Sequence, residues 1–434
     1  MRKIFIPTVA LFLAFNIHAQ KVWSLLECIE YANEHNLNIQ IQQVGVDQEE
    51  VNLNTARNRR LPNVSASASH SYSFGRSASG FDNTYQDRNS NATQWSASTS
   101  VPLFTGFSIS NEIAASKLNL QAIAAELERT KEDMAINVTS SYLQVLYSKE
   151  LLAIAKLQKD LSKEQSGRIK KLFDSGRASE AQIYEAEAQI ANDELTIVQA
   201  SSDLQMAILS LTQLLELPTP EGFDVEEPNV DVDFFLSRKP DAIFETALTT
   251  RAVVRAEEIY LKSRERSIKI AQSAYYPTLS FGAGYSNNYY VINGFENPSF
   301  SNQLKLNRNE YFGLNLSVPI FNRFSTRNNV RSARLNTDIQ KLRLENVKKT
   351  LYKDIQQAYY NAIASAEKFN SADAAYKSAE KAFGFMEEKL NNGRATMYDY
   401  NDSKTNMTKA MSNRIQAKYD YIFRKKILEF YENQ

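Results

Sequence analysis

The chain has 434 residues, with 50 Lys and Arg against 50 Asp and Glu. The zero net charge argues against a nucleic-acid binder, whose phosphate partner demands clustered positive excess. One cysteine (Cys28) and three histidines (His18, His35 and His70) exclude a disulfide framework and leave little material for a metal site or a His-based triad.

Arg2 and Lys3 precede an apolar stretch from Ile4 to Phe15, and the small residue Ala19 follows. This pattern predicts a secretory signal over residues 1–19, cleaved after Ala19. Its apolar core of roughly a dozen residues is too short for a membrane helix, which needs about 20. An uncleaved anchor is the alternative, disfavoured because the flank is polar and no stop-transfer charges follow. Cys28, preceded by Glu27 and well past the apolar core, reads as an apolar-face residue of a first helix.

From residue 20 to 217 the period of the pattern changes twice. After a helical stretch, Leu61-Pro62 opens a run in which Val64, Ala66, Ala68, His70 and Tyr72 alternate with serines, and Trp95, Ala97, Thr99, Val101 and Leu103 alternate likewise. The spacing predicts strands over about 63–74 and 94–104, joined by a polar Ser- and Asn-rich loop. Next comes a proline-free block, Leu103 to Leu217, broken by one turn at 174–178. Glycine and proline are scarce overall, 13 and 10 residues against usual shares of about 7 and 5 per cent. The block reads as a helix from about Asn111 to Phe173, on the order of 95 Å long, and a returning helix from Ser179 to Leu215. Such lengths require coiled-coil packing. Ala181, Tyr184, Ala188, Ala191, Leu195 and Val198 mark one seam; Ile190, Ile197, Leu204, Ile208, Leu211 and Leu215 mark a second. Two seams fit packing against neighbours on both sides, as in a closed ring of helices; a hairpin with one thick core face is the simpler alternative.

An acidic segment, 218–240, leads to a second copy of the same unit over 241–434. Phe173-Asp-Ser-Gly176-Arg177-Ala178-Ser179 recurs as Leu390-Asn-Asn-Gly393-Arg394-Ala395-Thr396, 217 residues on, and Ser100-Val-Pro-Leu-Phe104 recurs as Ser317-Val-Pro-Ile-Phe321 at the same offset. Strands are expected at about 278–290 and 310–321, and a hairpin turn near 391–395. The chain is therefore expected to be mainly α with a transmembrane β part. Ten-residue dyad strands fit a membrane barrel, and Tyr72, Trp95, Tyr289, Tyr290 and Tyr311 lie toward one end, as an interfacial aromatic girdle would. Four strands cannot close a barrel, and open edges are not tolerated in lipid. Several chains must share one: two give eight strands, whose interior side chains would fill, and three give twelve, which leaves a lumen.

In Arg59-Arg60-Leu61-Pro62, Val101-Pro102-Leu103-Phe104-Thr105-Gly106, Ser141-Tyr142-Leu143-Gln144-Val145-Leu146 and Leu172-Phe173-Asp174-Ser175-Gly176, with Val318-Pro319-Ile320-Phe321-Asn322 and the Gly393 turn in the second copy, the chain resembles the TolC-like outer-membrane efflux family. The resemblance covers essentially the whole mature chain. It implies a homotrimer with a 12-stranded β-barrel in the outer membrane of a Gram-negative bacterium and a 12-helix α-barrel crossing the periplasm. Transport energy would then come from an inner-membrane pump (RND, ABC or similar) joined through a periplasmic membrane-fusion adaptor. It implies that the turns dock the adaptor: Ser175, Gly176, Arg177 and Ala178, with Asn392, Gly393, Arg394 and Ala395. The Gly-Arg pairs stand where many members have a small or apolar residue after the glycine. It also implies that Asp399 and Asp402, at the family's spacing after the second turn, form a cation-selective ring at the tunnel constriction. Spaced i, i+3 they share a helix face, and crowding in a trimer would raise their pKa values. Otherwise they are solvated acids near a helix N-terminus.

The expected function is a passive exit duct of a tripartite efflux or type I secretion system. No enzyme is expected, since no nucleophile–base set or phosphate loop is present. Neither a cofactor nor a metal is expected. A non-pore periplasmic coiled-coil adaptor or scaffold is the alternative.

Overall fold

The computed structural model describes residues 22–78, 85–87, 89–227 and 238–432. The expected signal, residues 1–19, and the middle of the 218–240 segment lie outside the described residues. In chain order the elements are β1 (Val22–Trp23), α1 (Leu25–His35), α2 (Leu37–Asn58), β2 (Asn63–Ser73), β3 (Arg76–Ala78), β4 (Tyr85–Asp87), β5 (Ser90–Phe104), α3 (Ser108–Asp174), α4 (Glu180–Leu214), β6 (Asp224–Val225), α5 (Pro240–Thr250), α6 (Ala252–Ser273), β7 (Thr278–Ile292), α7 (Phe300–Leu306), β8 (Asn309–Ser317), α8 (Ser325–Asn391) and α9 (Met397–Glu432). The protein is mainly α: α3 and α8 have 67 residues each, and the returning helices α4 and α9 have 35 and 36.

The chain divides into two compact units. One comprises residues 42–127 and 251–349 and contains the sheet. That sheet is antiparallel throughout, in the order β2-β5-β7-β8, so its central pair joins a strand of each repeat. Here β5 begins at Ser90, four residues before the expected start, because Ser90 and Asn91 still pair with Ser73 and Tyr72 on one side and with Ile292 and Val291 on the other. β8 stops at Ser317, short of the expected 321. Its partner β7 begins at Thr278, and Pro277 before it has no N–H to offer a ladder.

Beneath the sheet, in the same unit, α6 lies between α3 and α8. The Ser263 hydroxyl bonds Asn119 of α3 at 2.6 Å, the Thr337 hydroxyl of α8 donates to the Arg264 carbonyl at 3.3 Å, and Lys348 of α8 pairs with Glu258 at 3.0 Å. Small buried residues, Ala115, Ala122, Ala252 and Ala256 among them, allow close helix approach.

The other unit comprises residues 1–41, 128–250 and 350–434. Its core includes Val138, Tyr142, Leu146, Leu211, Leu215, Ile243 and Ile355. The short parallel pair β1–β6 is fixed to α3 by the Tyr142 hydroxyl, which lies 3.0 Å from the Trp23 carbonyl and 2.6 Å from that of Glu226, and by a Lys149–Asp224 ion pair at 2.6 Å. Burial pushes the Tyr142 hydroxyl far above the usual tyrosine range, so it stays a donor at any physiological pH. Elsewhere Arg414 of α9 meets Asp373 of α8 at 2.6 Å, and Lys418 of α9 meets Glu150 of α3 at 2.9 Å.

Candidate functional site

Because side chains alternate along a strand, the register assigns each residue to a face. Val64, Ala66, Ala68, Trp95, Ala97, Phe281, Ala283, Phe312, Leu314 and Leu316 fall on one side. Ser65, Ser67, Ser69 and Ser71 fall on the other, with Ser96, Ser98, Gly282, Gly284, Ser286 and Asn315. Facing serines bond across the strands, Ser65 to Ser98 at 3.2 Å and Ser67 to Ser96 at 2.9 Å. The polar face contains no charged residue on any of the four strands. The first side also holds His70, Asn287 and, opposite Tyr285 toward the loop end, Glu310; its helix-proximal part is apolar, and there an apolar side backed by an uncharged hydrophilic side suits a wall between lipid and water. β2 and β8, the two edges, are exposed along their whole length, so the pairing capacity of both is unused within one chain.

The register also divides the expected aromatic girdle. Tyr72, Trp95 and Tyr289 lie on the apolar face, whereas Tyr290 and Tyr311 belong to the serine face. Tyr311 lies over Gly284: a Cβ built there would fall 2.6 Å from the tyrosine ring. A second aromatic cluster stands at the opposite, helix-proximal end of the strands. Phe104 meets Phe107 edge-on at 5.3 Å, Phe107 meets Tyr276 at 6.3 Å, and Phe321 meets Phe324 at 5.4 Å. All five are exposed. Sequence reading missed this cluster, although Phe-x-x-Phe recurs 217 residues apart in the two copies. Both turns into the long helices use two consecutive left-handed residues, Gly106-Phe107 (φ 61° and 68°) and Arg323-Phe324 (φ 54° and 60°).

At the loop end, β7 extends six residues past the end of its pairing with β8, and amide side chains take the missing strand's place. Gln303 accepts from the Tyr290 N–H at 2.9 Å and donates to the Tyr290 carbonyl at 2.8 Å; Asn297 does the same for Ile292, at 2.9 Å in both directions. The polar composition of this connector between β7 and β8 does not by itself reveal these bonds.

The two hairpin turns have the same geometry. The Gly176 N–H bonds the Phe173 carbonyl at 2.8 Å and the Arg177 N–H bonds that of Leu172 at 2.7 Å; Gly393 and Arg394 repeat this with Leu390 and Lys389 at 3.0 and 2.8 Å. This is the Schellman cap, and it needs the left-handed φ of Gly176 (73°) and Gly393 (67°). Ser175, Gly176, Arg177, Asn392, Gly393 and Arg394 are exposed, while Ala178 and Ala395 are half-buried. The helices that follow begin alike. Gln182 accepts from the Ser179 N–H at 3.0 Å, and Asp399, 217 residues later, accepts from the Thr396 N–H at 3.0 Å and from its hydroxyl at 2.6 Å. Asp399 thus caps α9. The Thr396 hydroxyl and N–H hold its carboxyl below the usual carboxylate range, a shift opposite to the one expected of carboxylates crowded in an assembly. Asp402 lies on the same exposed face and accepts from Asn406 at 3.1 Å.

Higher on α9 lies a cluster that the sequence did not single out. Lys404, 3 % exposed, is 3.5 Å from Asp193 of α4, 1 % exposed, and donates to the Gln158 carbonyl of α3 at 2.9 Å. Ser162 bonds both ions, and Gln158 and Gln189 each donate to Asp193 at 3.0 Å. Burial lowers the Lys404 pKa against the opposing pull of Asp193.

Residues 28–216 and 243–428 match the family model described as "Outer membrane efflux protein". Among individual proteins, the chain is 25% identical over 387 residues to outer membrane protein TolC of Escherichia coli (strain K12), and 24% identical over 391 residues to that of Salmonella enteritidis. Each alignment takes in 85% of this chain and 74% of the relative. Its fold superposes on the crystal structure of the Campylobacter jejuni CmeC outer membrane channel with a TM-score of 0.76 at 18% identity, covering 94% of this chain and 85% of that one. The chain belongs to the outer membrane efflux protein family.

Proposed function

We infer that this protein is an outer-membrane exit duct for an efflux system. The observation that carries the inference is the four-stranded sheet, which has one face that is apolar over its helix-proximal part, one uncharged serine face and two open edges. No single chain of this kind can lie in lipid, because each unpaired edge group there costs several kcal/mol. Three copies joined edge to edge, β8 of one to β2 of the next, make a closed 12-stranded barrel with the serine faces lining a water-filled lumen. Leu335, Ile339 and Leu342 on α8, exposed in one chain, offer apolar surface for helix packing in such a trimer. Residues 1–19 direct export, 20–217 and 241–434 form the two repeats, and 218–240 links them.

In this reading the long hairpins extend into the periplasm of a Gram-negative bacterium. Residues 175–178 and 392–395 are the contact points for a periplasmic adaptor, through which an inner-membrane pump of RND, ABC or similar type delivers cargo. The duct itself is passive. Asp399 and Asp402 line its narrowest point, and Tyr72, Trp95 and Tyr289 mark one lipid boundary.

The test is fractionation followed by electrophoresis with and without heating. A heat-modifiable trimer in the outer-membrane fraction is expected. A monodisperse chain, soluble without detergent, would overturn the reading and favour a coiled-coil scaffold.

A further inference from the structure

The two repeats differ in charge where the sheet gives way to helix. From Asn322 to Thr337 the second copy carries Arg323, Arg327, Arg331 and Arg334 and no carboxylate; the next acid is Asp338. The equivalent stretch of the first copy has Gly106 in place of Arg323 and contains Glu112, which is paired with Arg59 at 2.6 Å and accepts from the Ser108 hydroxyl at 2.8 Å. The first copy is locally neutralised and the second is not.

All four arginines are exposed. Among the described residues none of them is in an ion pair with a carboxylate; Arg327 instead stands over the Phe324 ring, 4.5 Å from its centroid. Spacings of four and three place Arg327, Arg331 and Arg334 in one stripe along α8. The positions that pack inward, Thr326, Val330, Thr337 and Gln340, form a separate face. Arg323 holds a left-handed φ of 54° that its repeat counterpart leaves to glycine. In sequence the stripe follows directly on the exposed apolar residues that leave β8. Ile320, 94 % exposed, and Phe321 lead from β8 into Phe324 and then into the arginines. Apolar, then aromatic, then cationic is the order in which hydrocarbon gives way to headgroups.

We propose that Arg323, Arg327, Arg331 and Arg334 form a binding surface for anionic phospholipid headgroups in the leaflet at the helix-proximal end of the sheet. This rests on the reading of the sheet as membrane-spanning. Guanidinium forks match phosphate oxygens in pairs, which a lysine ammonium cannot do. Each arginine near an anionic surface strengthens binding roughly fivefold. The stripe thus fixes the height of the protein in the bilayer and recruits acidic lipid around its rim.

The experiment uses the protein purified in detergent and offered phosphatidylglycerol or phosphatidylcholine, with retained lipid counted by native mass spectrometry. The wild type should retain phosphatidylglycerol at least about tenfold over phosphatidylcholine, with the preference falling as salt rises. R323Q/R327Q/R331Q/R334Q should retain both lipids alike, while the four-fold lysine variant keeps part of the preference and K170Q/K171Q on α3 keeps all of it. Equal retention by the wild type, or an unchanged preference in the glutamine variant, overturns the lipid surface and leaves the sheet in the membrane. A wild type that needs no detergent and retains neither lipid overturns the membrane reading itself.

Discussion

Lys404 and Asp193 carry opposite charges in a place where neither meets water. Each is tolerable only because the other is there and because Ser162, Gln158 and Gln189 complete the bonding. Lys404→Met leaves a buried carboxylate uncompensated and should destabilise the protein by about 3–5 kcal/mol. Asp193→Asn added to it removes the stranded charge, so the double variant should unfold later than K404M in denaturant melts. Asp399 gives a pH-dependent counterpart. Its pKa is lowered in the fold, so its stabilising contribution is present above the ordinary value of 3.8 and is lost as pH falls through the lower folded value. Asp399→Asn should therefore melt earlier than wild type at neutral pH. The two melting curves should converge as the pH is taken below 3.8.

At the scale of elements, the sheet depends on small residues beneath large ones. Gly284→Ala would place a methyl group against the far end of the Tyr311 ring; β7, paired on both sides, cannot withdraw, but the half-exposed ring can swing outward. We expect a loss of less than about 1 kcal/mol, below the usual cost of overpacking a core because the ring gives way, read as a slightly lower melting temperature of the assembled protein. Tyr311→Ala in the same chain should recover most of it. The helices obey a different logic. Alternating serine and apolar residues in β2 and β5, and unbroken three–four spacing in α4, made both element types legible in the sequence. The edges of β7 and β8 were not legible, because they depend on which residues still find a partner across the sheet. Nor was α7, whose place is held by Gln303 and Asn297 bonding to main chain thirteen and five residues away.

For the whole molecule, the duplication sets the design, and the two copies depart from each other at a few charged positions. Gln182 and Asp399 cap equivalent helices, yet only the second is charged; Glu185 and Asp402 are both acidic. If Asp399 and Asp402 ring a shared axis, six carboxylates focus the field there. The Asp399→Ala/Asp402→Ala channel in a planar bilayer should then show a lower cation-to-anion permeability ratio at unchanged barrel conductance. An unchanged ratio would return both residues to their capping and surface roles.

By itself the sequence determined the repeat, the class of every long element, the two glycine turns and the family, because these depend on periodicity and on local backbone chemistry. Only the tertiary structure decided which face each strand residue joins, which moved Tyr290 and Tyr311 off the expected girdle and revealed Phe104, Phe107, Tyr276, Phe321 and Phe324 at the other end. Likewise, it alone paired Lys404 with Asp193. A strand's face follows from register with its neighbours, and a buried ion's partner comes from another helix, so neither is contained in the spacing of a single segment.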